Sequence, residues 1–312
     1  MWVVLAFISA LCLGFYDISK KVALRDNAVV DVLTASVLVS SAILLVPLLL
    51  SRCAPEMMQA TPFYVPVLSL RGHLLTVIKS AIVLSSWVFA YISLKHLPIS
   101  VVSPMQATRP MWTLIGALLI FGERLNTWQW VGVLLAIGTV FVFSFNPLTK
   151  KTSLTSPTSL TSSTTKKYYI ALALAILIGS CSGLYDKYLM RRYDHNAVQV
   201  YYTFYQAVMM AIVWLIENLK NHKSSIINHK SIKNIGVIAM ISVFLIISDN
   251  VYMLALRDPD SMIAVVSTIR RGGAVIGFAY GLLFLRENDP WRKILCMLGI
   301  LAGLICLAFG SI

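Results

Sequence analysis

The sequence predicts an all-α membrane protein of about ten transmembrane helices, arranged as two inverted five-helix repeats. Hydrophobic residues make up 58% of the 312 residues and charged residues only 12%, whereas soluble domains are about 45–50% apolar and about 25% charged. Apolar runs of about 20 residues, the length that crosses a bilayer, recur between short polar breaks. Motifs of the first half also return in the second half.

The predicted spans fall into two groups of five. They cover residues 2–22, 28–50, 74–94, 98–121 and 128–146, and then 168–190, 197–219, 235–256, 259–285 and 291–310. Each is expected to be helical, because a chain in lipid satisfies its backbone polar groups only in helices or closed barrels. No basic residue precedes the first apolar run, so we expect a span there and not a cleaved signal.

A polar segment, residues 147–167, separates the two groups. It reads PLTKKTSLTSPTSLTSSTTKK, and this Ser-, Thr- and Pro-rich composition predicts a flexible linker with no structural element of its own. The expected units are therefore a first repeat at 1–146, the linker at 147–167 and a second repeat at 168–312.

One motif places an arginine at the same point in both halves. PISVVSPMQATR at 98–109 aligns without gaps on PDSMIAVVSTIR at 259–270, so Arg109 corresponds to Arg270. Arg270 and its neighbour Arg271 lie about eleven residues into a predicted span, which is roughly 16 Å, or half of the bilayer core. A guanidinium at that depth usually faces a bundle interior or a water-filled cavity.

A second motif pairs two acidic residues. GFYD at 14–17 and GLYD at 183–186 close the first and sixth predicted spans, so Asp17 corresponds to Asp186. Five-helix repeats must lie in opposite senses across the membrane. This is the plan of secondary transporters that bind their substrate near the midplane between the halves.

Further features are repeated, with a few residues of slippage between the copies of the acidic one. Tyr91 and Tyr252 each lie seven residues before the proline of the arginine motif, and Glu123 and Glu287 end the fourth and ninth predicted spans in FGERL and FLREN. Glycines spaced four apart, such as Gly299 and Gly303, predict close helix packing.

With these marks the chain resembles the EamA-type ten-helix carriers of the drug/metabolite transporter superfamily, over nearly its whole length. The resemblance implies a transporter and not an enzyme. Thr268-Ile269-Arg270-Arg271 is also similar to the Lys-Arg pair in the ninth helix of triose-phosphate/phosphate translocators, which holds the substrate phosphate. Arg stands here for Lys, so the similarity supports an anion site without identifying a phosphate ester.

These observations predict a substrate site built on buried charge, because a guanidinium binds carboxylate or phosphate with two hydrogen bonds. The candidate substrate-binding residues are Arg270, Arg271, Arg109, Gln106, Lys79, Asp249, Tyr252 and Tyr91. The candidates for ion pairing or ion coupling are Asp17 and Asp186.

Other interpretations stay open at this point. The arginines can instead hold helices in register by pairing with Asp17, Asp186 or Asp249. Lys79, near the start of its span, fits snorkelling to the headgroups as well as a cavity role. Four aromatic residues fit a pocket, an interfacial belt or core packing, and these are Tyr16, Trp87, Trp112 and Tyr185.

Composition and motifs also exclude several functions. The net charge is +13, but Lys and Arg lie mostly between the apolar runs, where they set topology or meet anionic lipid and not nucleic acid. We find no hydrolase, zincin or P-loop motif, and the five cysteines and five histidines lack metal-ligand spacing. We therefore expect no enzyme, cofactor or metal. The expected partners are a small-molecule substrate and membrane lipid, with a monomer or homodimer as the assembly.

The predicted function is secondary transport of a small organic metabolite, anionic or zwitterionic, across the cytoplasmic membrane by alternating access. Two alternatives stay open: an exporter of neutral or cationic compounds, and a membrane protein that binds a polar lipid without transporting it. The orientation is also open. The resemblance implies cytoplasmic termini, whereas the distribution of Lys and Arg favours termini outside.

Overall fold

Long apolar helices make up most of the structure, a computed structural model that describes residues 1–24, 27, 29–96, 108–145, 162–221, 235–273, 275–276 and 290–310. Within these ranges the chain forms helices and their connections, with no β-strand. The helices are α1 Trp2–Leu24, α2 Val29–Cys53, α3 Pro55–Gln59, α4 Leu70–His96, α5 Arg109–Phe121, α6 Thr127–Phe145, α7 Ser162–Met190, α8 His195–Asn221, α9 Ile235–Arg257, α10 Ile263–Arg271 and α11 Pro290–Phe309.

Six helices of the described ranges are long and apolar enough to cross a membrane. These segments are Trp2–Lys20, Val30–Cys53, Leu70–Ala90, Lys167–Met190, His195–Ile216 and Ile235–Arg257. Shorter apolar helices cover Arg109–Phe121 and Leu298–Phe309. The predicted all-helical, multi-pass class is confirmed. The count of ten spans stays a prediction, since the predicted spans 98–121 and 259–285 lie partly outside the described residues.

The structure differs from the sequence prediction at the end of the linker. Helix α7 begins at Ser162, so the last six residues assigned to the linker are helical and not irregular. Extending an existing helix adds one hydrogen bond for each residue that is ordered, and Lys166 and Lys167 are good helix formers. Residues 147–161, the rest of the predicted linker, lie outside the described residues. A further unpredicted helix, α3, begins with Pro55 at its first position, where proline is well tolerated.

Helices of the first half pack on helices of the second half. Helix α1 runs antiparallel to α9, since the Ser9 hydroxyl lies 3.1 Å from that of Ser248 and Phe15 stacks on Phe244. Helices α4 and α7 form a similar antiparallel pair, held by several contacts along its length. The halves are therefore joined by intimate helix contacts and not merely by the linker.

Three more pairs join the halves: α2 with α8, α6 with α11, and α5 with α10. The α6–α11 contact needs glycine. A Cβ on Gly132 would lie 2.7 Å from the carbonyl oxygen of Gly303, and one on Gly303 would lie 2.8 Å from the backbone nitrogen of Ala136. The close packing predicted at Gly303 is therefore present, because no larger side chain leaves room for the backbones to approach.

Several chain ends meet at one end of the bundle, which we call the terminal end because α1 begins there. The antiparallel α1–α9 pair brings the end of α9 to this end, and the start of α10 follows it. The Ile263 N–H, at the start of α10, donates to Glu123, so the segment that follows α5 also lies at this end. In that segment, the side-chain amide of Asn126 donates to the carbonyl oxygen of Gly310, 2.6 Å away, and α11 therefore ends here as well. A large apolar cluster that includes Trp2, Leu256 and Ile263 fills this end of the protein.

Candidate functional site

A cavity of about 270 Å³ lies between α1, α4, α5, α7, α8, α9 and α10. On α1 it is lined by the C-terminal half of the helix, and on α10 by the last turn. The lining residues are Leu13, Tyr16, Asp17, Lys20, Lys79, Val83, Trp87, Arg109, Pro110, Thr113, Gly179, Ser182, Gly183, Asp186, Tyr202, Leu245, Asp249, Tyr252, Met253, Ser267, Arg270 and Arg271.

The cavity is rich in charge and carries more positive groups than negative ones. Five of the lining side chains are cationic and three are carboxylates, which gives a formal charge of +2 for these residues. The cations are Lys20, Lys79, Arg109, Arg270 and Arg271, and the carboxylates are Asp17, Asp186 and Asp249. Because the surrounding helices are apolar, the direct partners of each charge determine what the cavity can bind.

Lys79 and Asp186 form an ion pair between α4 and α7. The ammonium of Lys79 donates to the Asp186 carboxylate, and the two side chains are only 3% and 9% exposed. The ammonium also lies 4.4 Å from the centroid of the Tyr202 ring, within cation–π range. Lys79 is thus a buried cavity residue and does not snorkel to the headgroups, because a carboxylate from the other half of the chain meets it.

Arg270 and Asp249 form a second ion pair, between α10 and α9. The Arg270 guanidinium donates to an Asp249 oxygen 2.9 Å away and to the Ser248 hydroxyl 3.3 Å away. Its central carbon lies 4.0 Å from the Tyr252 ring centroid. The Nε–H of Arg270 is buried with no acceptor in the described part of the protein, so the guanidinium keeps one unused donor.

Arg109 and Arg271 line the cavity differently from Arg270. Among the described residues, neither has a carboxylate within ion-pair distance. Arg109 donates instead to the carbonyl oxygen of Gly179, 2.6 Å away. A Cβ on Gly179 would lie 2.6 Å from the central carbon of that guanidinium, so a larger residue there would displace the guanidinium. Arg271 is an exposed residue that also lines the cavity.

The repeated aspartates occupy different environments. Asp186 is buried in its ion pair with Lys79. The Asp17 side chain is 55% exposed, with Lys20 of the same helix 3.5 Å away. The repeat therefore sets equivalent carboxylates at the cavity, and only one of them has a cation from another helix as its ion-pair partner among the described residues.

Of the remaining residues proposed from the sequence, some line the cavity and others do not. Tyr252, Tyr16 and Trp87 line the cavity, whereas Trp112 is 42% exposed and lies outside it. The Tyr185 hydroxyl donates to the Leu75 carbonyl and belongs to the α4–α7 contact. Gln106 and the side chain of Tyr91 lie outside the described residues.

Sequence reasoning missed several lining residues, notably Tyr202, Thr113, Ser182 and Ser267. The available signal was weak, because isolated hydroxyl residues are common in membrane helices. Ser182 directly precedes the repeated GLYD motif, which is the one local hint. In the described ranges, no group of three or more His, Cys, Asp or Glu side chains is placed to hold a metal ion.

Apolar helices of spanning length that surround a charged cavity define a multi-pass membrane protein. The profile of the EamA-like transporter family matches residues 1–145. The match covers just under half of the 312 residues, and the EamA-like transporter family is part of the drug/metabolite transporter superfamily. The family resemblance identified from the sequence is thereby confirmed, and members of this family are transporters and not enzymes.

Solved structures support the fold. Twenty-eight chains of solved structures match. One of them, described only as "Crystal structure of protein", has a TM-score of 0.71 and 12% sequence identity, with 99% of this chain and 96% of that chain covered. At this identity the similarity shows the fold alone. A comparison with curated proteins gave no match.

Proposed function

We propose that this protein is a secondary carrier that moves a small organic anion or zwitterion across the cytoplasmic membrane by alternating access. The observation that carries the proposal is the pair of guanidiniums, Arg109 and Arg271, that line the cavity without a carboxylate partner among the described residues. Arg109 is partly buried, and a charge withdrawn from water is costly unless it is compensated. A substrate carboxylate or phosphate supplies that compensation through charge-assisted hydrogen bonds.

The packing of the helices supports the inverted-repeat plan on which alternating access depends. When the short helix α3 is left out, the helices α1, α2, α4, α5 and α6 correspond in order to α7, α8, α9, α10 and α11. Exchanging corresponding helices turns the α1–α9 pair into the α7–α4 pair, and both pairs are antiparallel. It likewise turns α5–α7 into α10–α1, and it leaves α2–α8, α5–α10 and α6–α11 unchanged as pairs. All of these pairs are in contact, as expected for two repeats related by a pseudo-two-fold axis in the membrane plane.

One-sided closure also supports a carrier. The cavity is lined by residues in the second half of α1 and at the end of α10, whereas the apolar cluster around Trp2 and Ile263 fills the terminal end. In a carrier of this plan, the site lies between two repeats and is closed at one end. Rocking of the repeats then opens that end and closes the other.

The strongest alternative is a carrier for neutral or cationic compounds. Three ion pairs, Lys79–Asp186, Arg270–Asp249 and Lys20–Asp17, already neutralise six of the eight lining charges, and the Asp17 side chain is exposed enough to meet another cation. The excess of positive groups nevertheless favours an anionic group on the substrate. A zwitterion satisfies both features, since its ammonium can face Asp17.

A ligand panel on purified protein separates these functions. Sodium salts of mono- and dicarboxylates, neutral amino acids, phosphate esters and organic amines are compared by thermal unfolding. A ligand at 100 times its dissociation constant stabilises by about 2.7 kcal/mol. We expect stabilisation by compounds with an anionic group, and counterflow of the same labelled compounds into proteoliposomes but not into protein-free vesicles. Stabilisation by amines alone contradicts the anion site, and binding without flux identifies a non-transporting binder.

A further inference from the structure

A further buried ion pair lies outside the cavity, where the terminal end is closed. The ammonium of Lys187 lies 2.9 Å from a Glu123 carboxylate oxygen, with only 1% and 5% of the two side chains exposed. The proposed substrate site does not use either residue. A buried pair of this kind is weak evidence for stability, because well-packed apolar residues often do as well, so its presence calls for another explanation.

The pair ties three separate elements together. The Glu123 carboxylate, just beyond the end of α5, accepts the backbone N–H groups of Ile263 at 2.7 Å and Ala264 at 3.2 Å. These are the first residues of α10, whose own N-cap residue, Met262, makes no side-chain hydrogen bond. Lys187 of α7 also donates to the Ser261 carbonyl just before α10. Glu123 thus caps α10 from another part of the molecule and complements its dipole.

Each of the three elements also carries charge into the cavity. Helix α5 begins with Arg109, and α7 places Asp186 directly before Lys187. Helix α10 ends with Arg270 and Arg271, about 10 Å along the helix from the residues that Glu123 caps. Release of the Glu123–Lys187 pair therefore removes a tie between three elements that each carry charge to the cavity.

We propose that the Glu123–Lys187 pair is a gate that closes the terminal end and that opens when the cavity is exposed to that side. The proposal rests on alternating access as the proposed function. When the gate is closed, each charge of the pair compensates the other in an apolar environment. When it is open, water can hydrate both charges, so separating them no longer leaves a buried charge unpaired.

The sequence indicates that this gate belongs to one end only. The GFYD and GLYD motifs align Asp17 with Asp186, so the position equivalent to Lys187 is Ile18. An isoleucine cannot form the ion pair. Whatever closes the opposite end therefore uses different contacts, although the repeat supplies a corresponding acidic residue in Glu287.

Thiol accessibility tests the gate without a substrate. In a full-length protein with all five native cysteines replaced by serine, Ser182→Cys places a reporter thiol in the cavity. An impermeant maleimide is added to either side of sealed vesicles, and a tag on the N-terminus identifies the terminal side. We expect slow labelling from that side in the parent. Lys187→Met should raise the rate at least about tenfold, which corresponds to ~1.4 kcal/mol of bias toward the closed state.

Two further variants keep the test decisive. Lys187→Met with Glu123→Gln leaves no unpaired buried charge, so it can be measured where the single variant fails to fold. Arg257→Gln is the matched control, because it removes an ion pair with Asp194, 2.8 Å long, at the same end but outside the gate. Correct folding is checked by gel filtration and by ligand-free thermal unfolding.

The labelling outcomes test the gate independently of the proposed substrate class. Faster labelling in both Lys187 variants and an unchanged rate in Arg257→Gln support the gate, whatever the ligand panel shows. If the folded double variant stays as protected as the parent, the pair does not gate the cavity and the proposal is overturned, even where anion flux is established. Equal acceleration by Arg257→Gln overturns it as well, since any loosening of that end then suffices.

Discussion

Asp186 and Lys187 are consecutive residues of α7 that take part in two different buried ion pairs. Asp186 meets Lys79 of α4 in the cavity, and Lys187 meets Glu123 beyond the end of α5, 2.9 Å away. Neighbouring residues on a helix point about 100° apart, so one turn of α7 connects the charge of the candidate site to the closure at the terminal end.

The first prediction concerns Lys79 and Asp186. Lys79→Met leaves the Asp186 carboxylate buried without its partner, and removing one member of a buried pair costs about 3–5 kcal/mol. We expect a clear loss of thermal stability in detergent for Lys79→Met and for Asp186→Asn alone. The double variant should recover most of it, because no unpaired charge stays buried. Additive losses in the double variant contradict direct coupling between the two side chains.

The second prediction distinguishes the two adjacent arginines. Arg271 has no carboxylate partner in the described part of the chain, so Arg271→Gln should leave the protein folded and weaken binding of an anionic ligand. A charge-assisted hydrogen bond is worth about 1.5–3 kcal/mol, or roughly ten- to hundredfold in affinity. Arg271→Lys should be intermediate, because it keeps the charge but loses the planar fork.

Arg270 should behave differently, because Asp249 depends on it. Arg270→Gln is expected to lower thermal stability, and Asp249→Asn in the same chain should restore part of the loss. Calorimetric titration with the best anion of the ligand panel gives affinity, and thermal unfolding gives stability. If both arginine variants lose stability equally and neither loses affinity, the arginines are structural and the site lies elsewhere.

The third prediction tests the α6–α11 contact with two alanines on one helix. A Cβ on Gly132 would lie 2.7 Å from the Gly303 carbonyl oxygen, whereas one on Gly138 meets nothing within 4 Å among the described residues. Gly132→Ala should therefore destabilise by about 1–3 kcal/mol through overpacking. Gly138→Ala should be neutral or stabilising by up to ~1 kcal/mol, because alanine favours helix. Equal effects in thermal unfolding would show that the helices are free to separate.

The fourth prediction concerns pH and the turn between α7 and α8. Burial raises the pKa of Asp194, but hydrogen bonds from His195 and from the Ala197 backbone, with the charge of Arg257, hold that pKa below its ordinary value. The carboxylate also accepts the Asn196 backbone N–H at 2.9 Å. Its contribution to stability is therefore present above the ordinary aspartate pKa of about 3.9 and is lost as the pH falls through the lower folded value.

Asp194→Asn keeps an oxygen that can accept the Asn196 N–H but has no charge to titrate. The variant should lose part of the steep fall in thermal stability below about pH 4. Asp194→Ala also removes the acceptor for the Asn196 N–H in the first turn of α8, and this loss should cost about 1 kcal/mol at neutral pH. The profiles are measured by thermal unfolding between pH 3 and pH 7. An Asp194→Asn profile that parallels the parent's excludes Asp194 from the acid transition.

Much of this molecule can be predicted from composition and spacing. Apolar runs predict membrane helices, because lipid leaves few other ways to satisfy the backbone. The arginine at the same point of two aligned motifs indicates a polar site inside the bundle, and Arg109 and Arg270 do line one cavity. These inferences succeed because each rests on a pattern of residues within a short stretch of the chain.

The partners of the charges could not be predicted in the same way. Arg270 and Arg271 are adjacent and chemically identical, yet only Arg270 has a carboxylate partner among the described residues. Lys79 reads equally well as a residue at the membrane surface, and the structure buries it against Asp186. Composition and spacing alone therefore place charges within the bundle. Only the packing of helices far apart in the chain decided which charges neutralise one another, because an ion pair forms within about 4 Å and depends on the direction in which each helix faces.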